Sequence, residues 1–279
     1  MSQSLARTVL GVEFQNPVLL AAGTAGFGRE VAGVIALERL GGIVTKAVSR
    51  EFRAGNRAPR VAEFSAGMMN SVGLANPGLD LVLSEALPWL TSNLRTCRVI
   101  VNVVGFIEED FAEVVAGLDE FPGISAFEIN LSCPNTHAGG VEFGSEPRTV
   151  ARVIELCCRR TRKPLLAKLS PVLPDLAGMA LVARDAGASG VTVVNTMPGY
   201  LSNTAGSPRL GNGQGGVSGP ALLPVGVLAV RRIMERSGGM TVVGVGGVRT
   251  AADVRQYLEA GAALVGIGTA ALADPRLPE

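Results

Sequence analysis

The stretch Pro164-Leu165-Leu166-Ala167-Lys168-Leu169, then a helical pattern over 175–186, then Gly190-Val191-Thr192-Val193-Val194-Asn195, decides the fold. An apolar run, a helical segment and a second apolar run make a βαβ unit with parallel strands. Outward from it, the alternation recurs along the chain. Strand candidates fall at 18–22, 42–46, 98–104, 126–131, 164–169, 190–195, 241–246 and 263–268. Helical patterns fall at 29–40, 79–90, 109–118, 148–160, 175–186, 220–236 and 251–260. Eight such strands predict a closed (β/α)8 barrel, a fold of about 250 residues. The rival is a doubly wound open sheet, which favours an early G-x-G-x-x-G turn. The first strand here runs instead into Gly23-Thr24-Ala25-Gly26. The reading is an α/β barrel, one domain over 1–279.

Helix boundaries agree. Asp175 and Asp253 sit in first turns, where a carboxylate suits the positive helix end, and Gly187 and Gly261 follow helices. Two long insertions, 47–78 and 197–219, leave C-terminal strand ends, the face that carries barrel active sites. After Gly268-Thr269 only 270–279 remain, with Asp274-Pro275 and Pro278, so a truncated eighth helix is expected. That side of the barrel is then open or covered by something else.

The chain has 279 residues, with 25 basic against 24 acidic side chains and a formal charge of +1. That balance lacks the clustered basic excess of a nucleic-acid footprint. Hydrophobic residues make up 47% and charged residues 18%, enough for a sizeable core. No apolar run reaches the ~18 residues of a membrane span, and the first residues lack the apolar stretch of a secretory signal. A cytoplasmic protein with free thiols is expected. Cys97, Cys133, Cys157 and Cys158 show no C-x-x-C spacing. Neither a metal site nor an iron–sulfur cluster of the chain's own is indicated.

Chemistry concentrates at strand ends. Asn130-Leu131-Ser132-Cys133-Pro134-Asn135 follows an apolar run and opens the loop Thr136-His137-Ala138-Gly139-Gly140. A cysteine there is either a small buried hydrophobe or a reactive thiol. His137 is either its partner or a solvated loop residue. Cys157 and Cys158, on a helical pattern, read as structural. Lys46 and Lys168 end two other apolar runs. An isolated buried ammonium is costly, so each is salt-bridged or faces an anionic ligand. Gly244-Val245-Gly246-Gly247 and Gly266-Ile267-Gly268-Thr269 end the last two strands, where barrels often bind phosphate through backbone N–H groups. Asn70, Asn130 and Asn195 offer donors and acceptors together, suited to a small planar ligand. Taken singly, each reads as a turn former.

With these residues in order, the chain resembles the class 1 dihydroorotate dehydrogenases. The resemblance runs from Asn16-Pro17 to Gly268-Thr269 through Val44-Thr45-Lys46, Asn70-Ser71-Val72-Gly73-Leu74-Ala75-Asn76-Pro77-Gly78, Asn130 to Asn135, Ala167-Lys168-Leu169-Ser170, Val194-Asn195-Thr196, Gly215-Gly216-Val217-Ser218-Gly219-Pro220 and Gly246-Gly247. Cysteine rather than serine as the base separates it from the membrane-bound, quinone-using class. The motif at Asn70 and the run from Cys133 into Val141-Glu142-Phe143-Gly144 are similar to the 1B type. The resemblance implies FMN as cofactor, dihydroorotate and orotate as substrate and product, and a homodimer beside a subunit carrying FAD and a [2Fe–2S] cluster, which passes electrons to NAD⁺. It also implies the site residues. The FMN phosphate would meet Gly219, Gly246, Gly247, Gly268 and Thr269. Ala22, Lys46, Ala47, Asn102, Asn130, Lys168 and Val194 would contact the rest of the cofactor. Position 22 is often serine in relatives. Dihydroorotate would be held by Lys46, Asn70, Ser71, Val72, Gly73, Leu74, Asn130, Asn195 and Thr196. Cys133 would be the catalytic base, and Lys168 would stabilise charge on the reduced cofactor.

Two other readings share features with this one. A dihydrouridine synthase-like flavoprotein has barrel, FMN and cysteine, but the near-zero net charge does not favour RNA. A non-catalytic flavin-binding subunit would keep the barrel and the glycines without the reaction.

Overall fold

Strands β1 (Val18–Leu20), β2 (Gly42–Val44), β3 (Arg98–Val103), β4 (Ile124–Asn130), β5 (Leu165–Lys168), β6 (Gly190–Val193), β7 (Thr241–Val245) and β8 (Leu264–Ile267) pair in parallel as a closed barrel, each beside its neighbours in sequence. The computed structural model describes residues 5–132, 134–135 and 141–279. Strand alternation sorts the side chains. Leu19, Val44, Ile100, Ala126, Leu166, Val243 and Leu264 meet inside the barrel, whereas Val99, Val101, Val103, Phe127, Ile129, Leu165 and Ala167 pack outward under the helices. On β6, Gly190 pairs with Leu166. A Cβ there would lie 2.5 Å from the Thr241 carbonyl oxygen, so the ring of strands leaves no room for a side chain.

The bottom of the barrel is closed by an antiparallel hairpin, Arg7–Val9 with Val12–Phe14. Its fully buried Phe14 joins the interior cluster. The helices are α1 (Leu87–Asn93), α2 (Glu108–Asp119), α3 (Pro147–Cys158), α4 (Leu176–Asp185), α5 (Leu223–Ser237), α6 (Ala251–Glu259) and α7 (Thr269–Ala273). Asp175 is the N-cap of α4, accepting from the Gly178 N–H at 2.9 Å. Thr250 and Asp253 form a capping box on α6.

Two local expectations are corrected. The segment 29–40 is a run of turns with one 3-10 turn, Leu37–Arg39, rather than a helix. Gly33 and the β-branched Val31, Val34 and Ile35 are poor helix formers, and packing of Ile35 and Leu37 fixes the turns instead. The segment 79–90 is helical but interrupted by a π-turn, Val82–Ala86. The Leu87 N–H reaches Val82 immediately before Pro88, whose ring nitrogen has no hydrogen to donate.

The two insertions form one structure. Met197–Gly199, Gly215–Ser218, Gly67–Asn70 and Val61–Phe64 pair antiparallel, in that order, as a four-stranded sheet. It stands above the C-terminal ends of the barrel strands. As expected, the eighth helix is short: α7 has five residues. The chain then returns to the β1–β2 connection, where the Glu279 carboxylate accepts from the Ala36 N–H at 2.7 Å and pairs with Arg39 at 3.2 Å. Among the described residues no helix is long and apolar enough to cross a membrane.

Candidate active site at the barrel mouth

Inward-facing positions change character toward the C-terminal ends of the strands. Below lie Ile100, Ala126 and Leu166; two residues on lie Asn102, Glu128 and Lys168. This polar layer is buried, with Lys168 6% exposed, Glu128 1% and Asn102 0%. Lys168 Nζ is 3.1 Å from Glu128 Oε1, and Asn102 Nδ2 donates to the same oxygen at 2.7 Å. Asn102 Oδ1 is buried without a partner, as is Thr192 Oγ1 on β6, which pairs beside Lys168. Buried polar atoms are normally hydrogen-bonded, so these two mark where a polar ligand would dock.

One layer higher lie the asparagines. Asn130, at the end of β4, accepts through Oδ1 from the Ser132 N–H and from Asn195 Nδ2, each at 3.3 Å. Asn195 also accepts from the Thr196 N–H at 2.8 Å. Asn70 ends a strand of the upper sheet, and its amide reaches the Gly216 carbonyl at 3.5 Å, the limit of hydrogen-bond distance. Gly216 lies against Thr196, so close that a Cβ on it would sit 2.0 Å from Thr196 Oγ1. A continuous set of contacts therefore leads from Asn70 through Gly216 and Thr196 to Asn195 and Asn130. Next in the insertion, the Ser71 hydroxyl accepts from Asn56 Nδ2 at 2.8 Å and the Val72 carbonyl from the Asn56 N–H at 3.1 Å. Gly73 and Leu74 both take positive φ, and Leu74 packs on the core.

Lys46, two residues beyond β2, is half-buried and makes no ion pair among the described residues. Its N–H donates to the Gly26 carbonyl at 2.7 Å. Ala22 packs on the barrel-interior cluster, and Ala47 on the outer core. Val194 also faces outward into the helix layer, so its backbone alone can face the mouth. The cysteine of the Asn130 motif, Cys133, and His137 lie outside the described residues.

The glycines expected to hold phosphate are gathered at one corner. Gly246 and Gly247 take φ of +127° and +75°, and Gly247 sits so close to α5 that a Cβ would lie 2.4 Å from the Leu223 nitrogen. Gly219, at φ +110°, leads into the same helix and touches Gly67 of the upper sheet. Thr269, the first residue of α7, donates its hydroxyl hydrogen to Ser218 Oγ at 2.8 Å, with Gly268 before it. Neither α5 nor α7 has a side-chain N-cap. At the start of α5 the Leu223 N–H is given to the Pro220 carbonyl and Pro224 has none, so the fit to a phosphate rests on the close-approaching glycine backbone and the Ser218 and Thr269 hydroxyls.

Sequence reasoning missed Glu128. It sits inside the apolar run Ala126-Phe127-Glu128-Ile129, and a lone carboxylate two residues before Asn130, on the same strand face, was the signal. Ser218 was also missed. The described cysteines read as structural: burial pushes the thiols of Cys97 and Cys157 up to about 12. Among the described residues no group of three or more His, Cys, Asp or Glu could hold a metal.

Fold and site define a (β/α)8 barrel with a glycine-rich corner and an amide-lined, lysine-bearing mouth under an insertion sheet. More narrowly, the chain belongs to the dihydroorotate dehydrogenase family, whose model matches residues 4–278. It is 42% identical over 274 residues to the catalytic subunit of dihydroorotate dehydrogenase B (NAD(+)) of Geobacillus kaustophilus, covering 97% of this chain and 86% of that one. It is also 42% identical over 279 residues to a Solibacter usitatus protein described as dihydroorotate dehydrogenase A (fumarate), covering 100% and 91%. The crystal structure of DHODH from Eimeria tenella in complex with ferulenol shares the fold, with a TM-score of 0.82 at 22% identity over 99% of this chain and 82% of that one. The family is flavin-dependent. A flavin fits the residues present: a glycine-lined corner for phosphate, and open acceptors on Asn102 and Thr192 beside Lys168 for a ring edge bearing an N–H.

Proposed function

We propose that this barrel, one domain over 1–279, binds FMN and oxidises dihydroorotate to orotate in pyrimidine biosynthesis. The observation that carries the reading is the convergence at one barrel mouth of Lys46, Lys168, Asn130 and Asn195, with Asn70 brought in from the insertion, above a buried Asn102–Glu128–Lys168 layer. FMN, when bound, supplies the two-electron acceptor. Gly219, Gly246, Gly247, Gly268 and Thr269 would hold its phosphate. Ala22, Lys46, Ala47, Asn102, Asn130, Lys168 and the Val194 backbone would contact the rest.

The protein's own part in the reaction is binding, orientation and one proton. Asn70, Ser71, Val72, Gly73, Leu74, Asn130, Asn195 and Thr196 would hold the dihydropyrimidine, with Lys46 meeting its negative charge. Amide side chains suit a ring of alternating N–H and C=O groups. Cys133, three residues after Asn130, is the base, taking the proton from substrate C5 as thiolate while hydride leaves C6. Lys168 is a fixed positive charge near the electron acceptor, which favours the state in which negative charge has arrived there.

The test is anaerobic mixing of the FMN-loaded protein with dihydroorotate. The yellow absorption should bleach; persistent yellow overturns the reading. Cys133→Ala should nearly abolish bleaching, and Cys133→Ser should leave a slow, more alkaline reaction. An ordinary thiol titrates at about 8.5, so bleaching should accelerate as pH rises through that region. A wild-type rate in Cys133→Ala removes the assignment of the base.

Support for NAD⁺ as the final acceptor comes from relatives named as catalytic subunits of dihydroorotate dehydrogenase B (NAD(+)). We assign a homodimer working in the cytoplasm beside a second subunit that carries FAD and a [2Fe–2S] cluster and reduces NAD⁺. Turnover with fumarate by the isolated chain would favour the acceptor named for the Solibacter relative. Turnover with NAD⁺ only after adding the partner subunit favours this one.

A further inference from the structure

Glu128 has no part in the reaction as derived above, yet its carboxyl group is almost wholly buried in the barrel mouth. It stands at the centre of the polar layer, on β4, in register with Asn102 of β3 and Leu166 of β5. Its side chain is 2% exposed and that of its partner Lys168 8%. A carboxylate placed so deep costs several kcal/mol in desolvation unless paired. Replacement by apolar residues is often no worse for stability, so stability alone is a weak account of it.

The contacts indicate another. An ionised carboxylate only accepts hydrogen bonds. Asn102 must therefore turn its NH2 toward Glu128, as the 2.7 Å contact shows, and this leaves Asn102 Oδ1 as the buried open acceptor. The same Glu128 oxygen anchors the Lys168 ammonium at 3.1 Å. One side chain thus fixes the polarity of two neighbours and makes the local charge of the pair zero rather than +1.

We propose that Glu128 is a positioning residue that holds the Lys168 ammonium, presents Asn102 as an acceptor, and offsets the positive charge the flavin ring experiences. The inference rests on the flavin reading above and adds to it a residue that touches neither substrate nor chemistry directly. Its corollary is that Lys168 acts as one end of a dipole. The flavin's electron affinity is then set by the pair, below what a bare lysine would give.

Sulfite tests this without any turnover, because its flavin adduct is an anion whose formation bleaches the yellow absorption. Glu128→Gln keeps the shape and removes the charge, so the FMN-loaded variant should bind sulfite at least about tenfold more tightly than the unmodified protein, the scale of one unscreened charge at partly buried distances. Lys168→Gln should weaken sulfite binding. In that background Glu128→Gln should have a different effect from the one it has alone, because the charge it unmasks is gone. A sulfite Kd unchanged within twofold in flavin-loaded Glu128→Gln, or identical effects in both backgrounds, overturns the proposal while leaving the functional reading in place. An unmodified chain that takes up no FMN overturns both. Should Glu128→Gln fail to hold flavin, thermal melting of the four proteins without flavin decides: the double variant should melt above each single one, and additive losses overturn the pairing.

Discussion

Gly247 shows how far one residue can be argued. At φ +75° an L side chain is strained, and a Cβ would meet the Leu223 nitrogen at 2.4 Å, a backbone atom that cannot swing aside. Gly247→Ala should therefore push the glycine corner away from the start of α5 and weaken FMN by about tenfold or more, on the scale of 1–2 kcal/mol for a side chain forced into the left-handed region. Titration of the apoprotein with FMN, followed by quenching of its fluorescence, measures this; unchanged affinity would remove the corner from the phosphate site. Residues of this kind were legible because they punctuate: glycine pairs, terminal lysines and asparagines interrupt apolar runs at strand ends. Glu128 was not, since Phe127 and Ile129 pack outward on either side and make the run look continuously buried. What revealed it was its pairing across β3 and β5 with Asn102 and Lys168, which depends on a register that one strand cannot show.

At the scale of elements, all eight barrel strands were legible within a few residues, because each is an apolar run bounded by turn formers. The insertion sheet was not: Gly67–Asn70 pairs with Gly215–Ser218 across a long separation, and glycine-bearing strands of three or four residues carry no local period. The 29–40 segment failed for the opposite reason, a plausible pattern overridden by packing. Its ending is held by Glu38, which accepts from the N–H groups of Arg95, Thr96 and Cys97 just before β3. Burial, the largest single influence, pushes the Glu38 carboxyl up, but the hydrogen bonds from Thr96, Arg95 and Cys97 together outweigh it and hold it below the ordinary value. A depressed carboxyl stabilises the fold above its unfolded-state pKa of about 4.3, and that contribution is lost as pH falls through the lower folded-state value. Glu38→Gln should accordingly cost about 1 kcal/mol near neutrality, allowing for its partial exposure. Urea unfolding should show the gap closing as pH drops below the ordinary carboxylate range. A gap of the same size at pH 7 and in acid would mean that Glu38 stabilises by packing alone.

On the scale of the whole molecule, the barrel divides its interior by height. The upper layer is Asn102, Glu128, Lys168 and Thr192, buried polar groups with two unpartnered oxygens; such a layer is tolerated for what it binds, since unsatisfied buried atoms cost stability. The lower layer is apolar on seven strands and sealed by Val9 and Phe14 of the hairpin. On the proposed reading, stability and chemistry are carried at opposite ends of one barrel, as the fold generally arranges them. Phe14→Ala tests the division. Phe14 is 0% exposed, and its removal opens a cavity beneath all the strands, so unfolding should become easier by about 3–5 kcal/mol. The mouth lies two inward-facing layers above, and its hydrogen bonds involve none of the hairpin residues among those described. FMN content and the rate of bleaching by dihydroorotate, measured well below the lowered melting temperature, should stay within about twofold of the unmodified protein, because mutations without shared partners act independently. A variant that melts early and also bleaches slowly while still fully folded would show that the hairpin reaches the site through the barrel core, and the two ends would have to be treated as one unit.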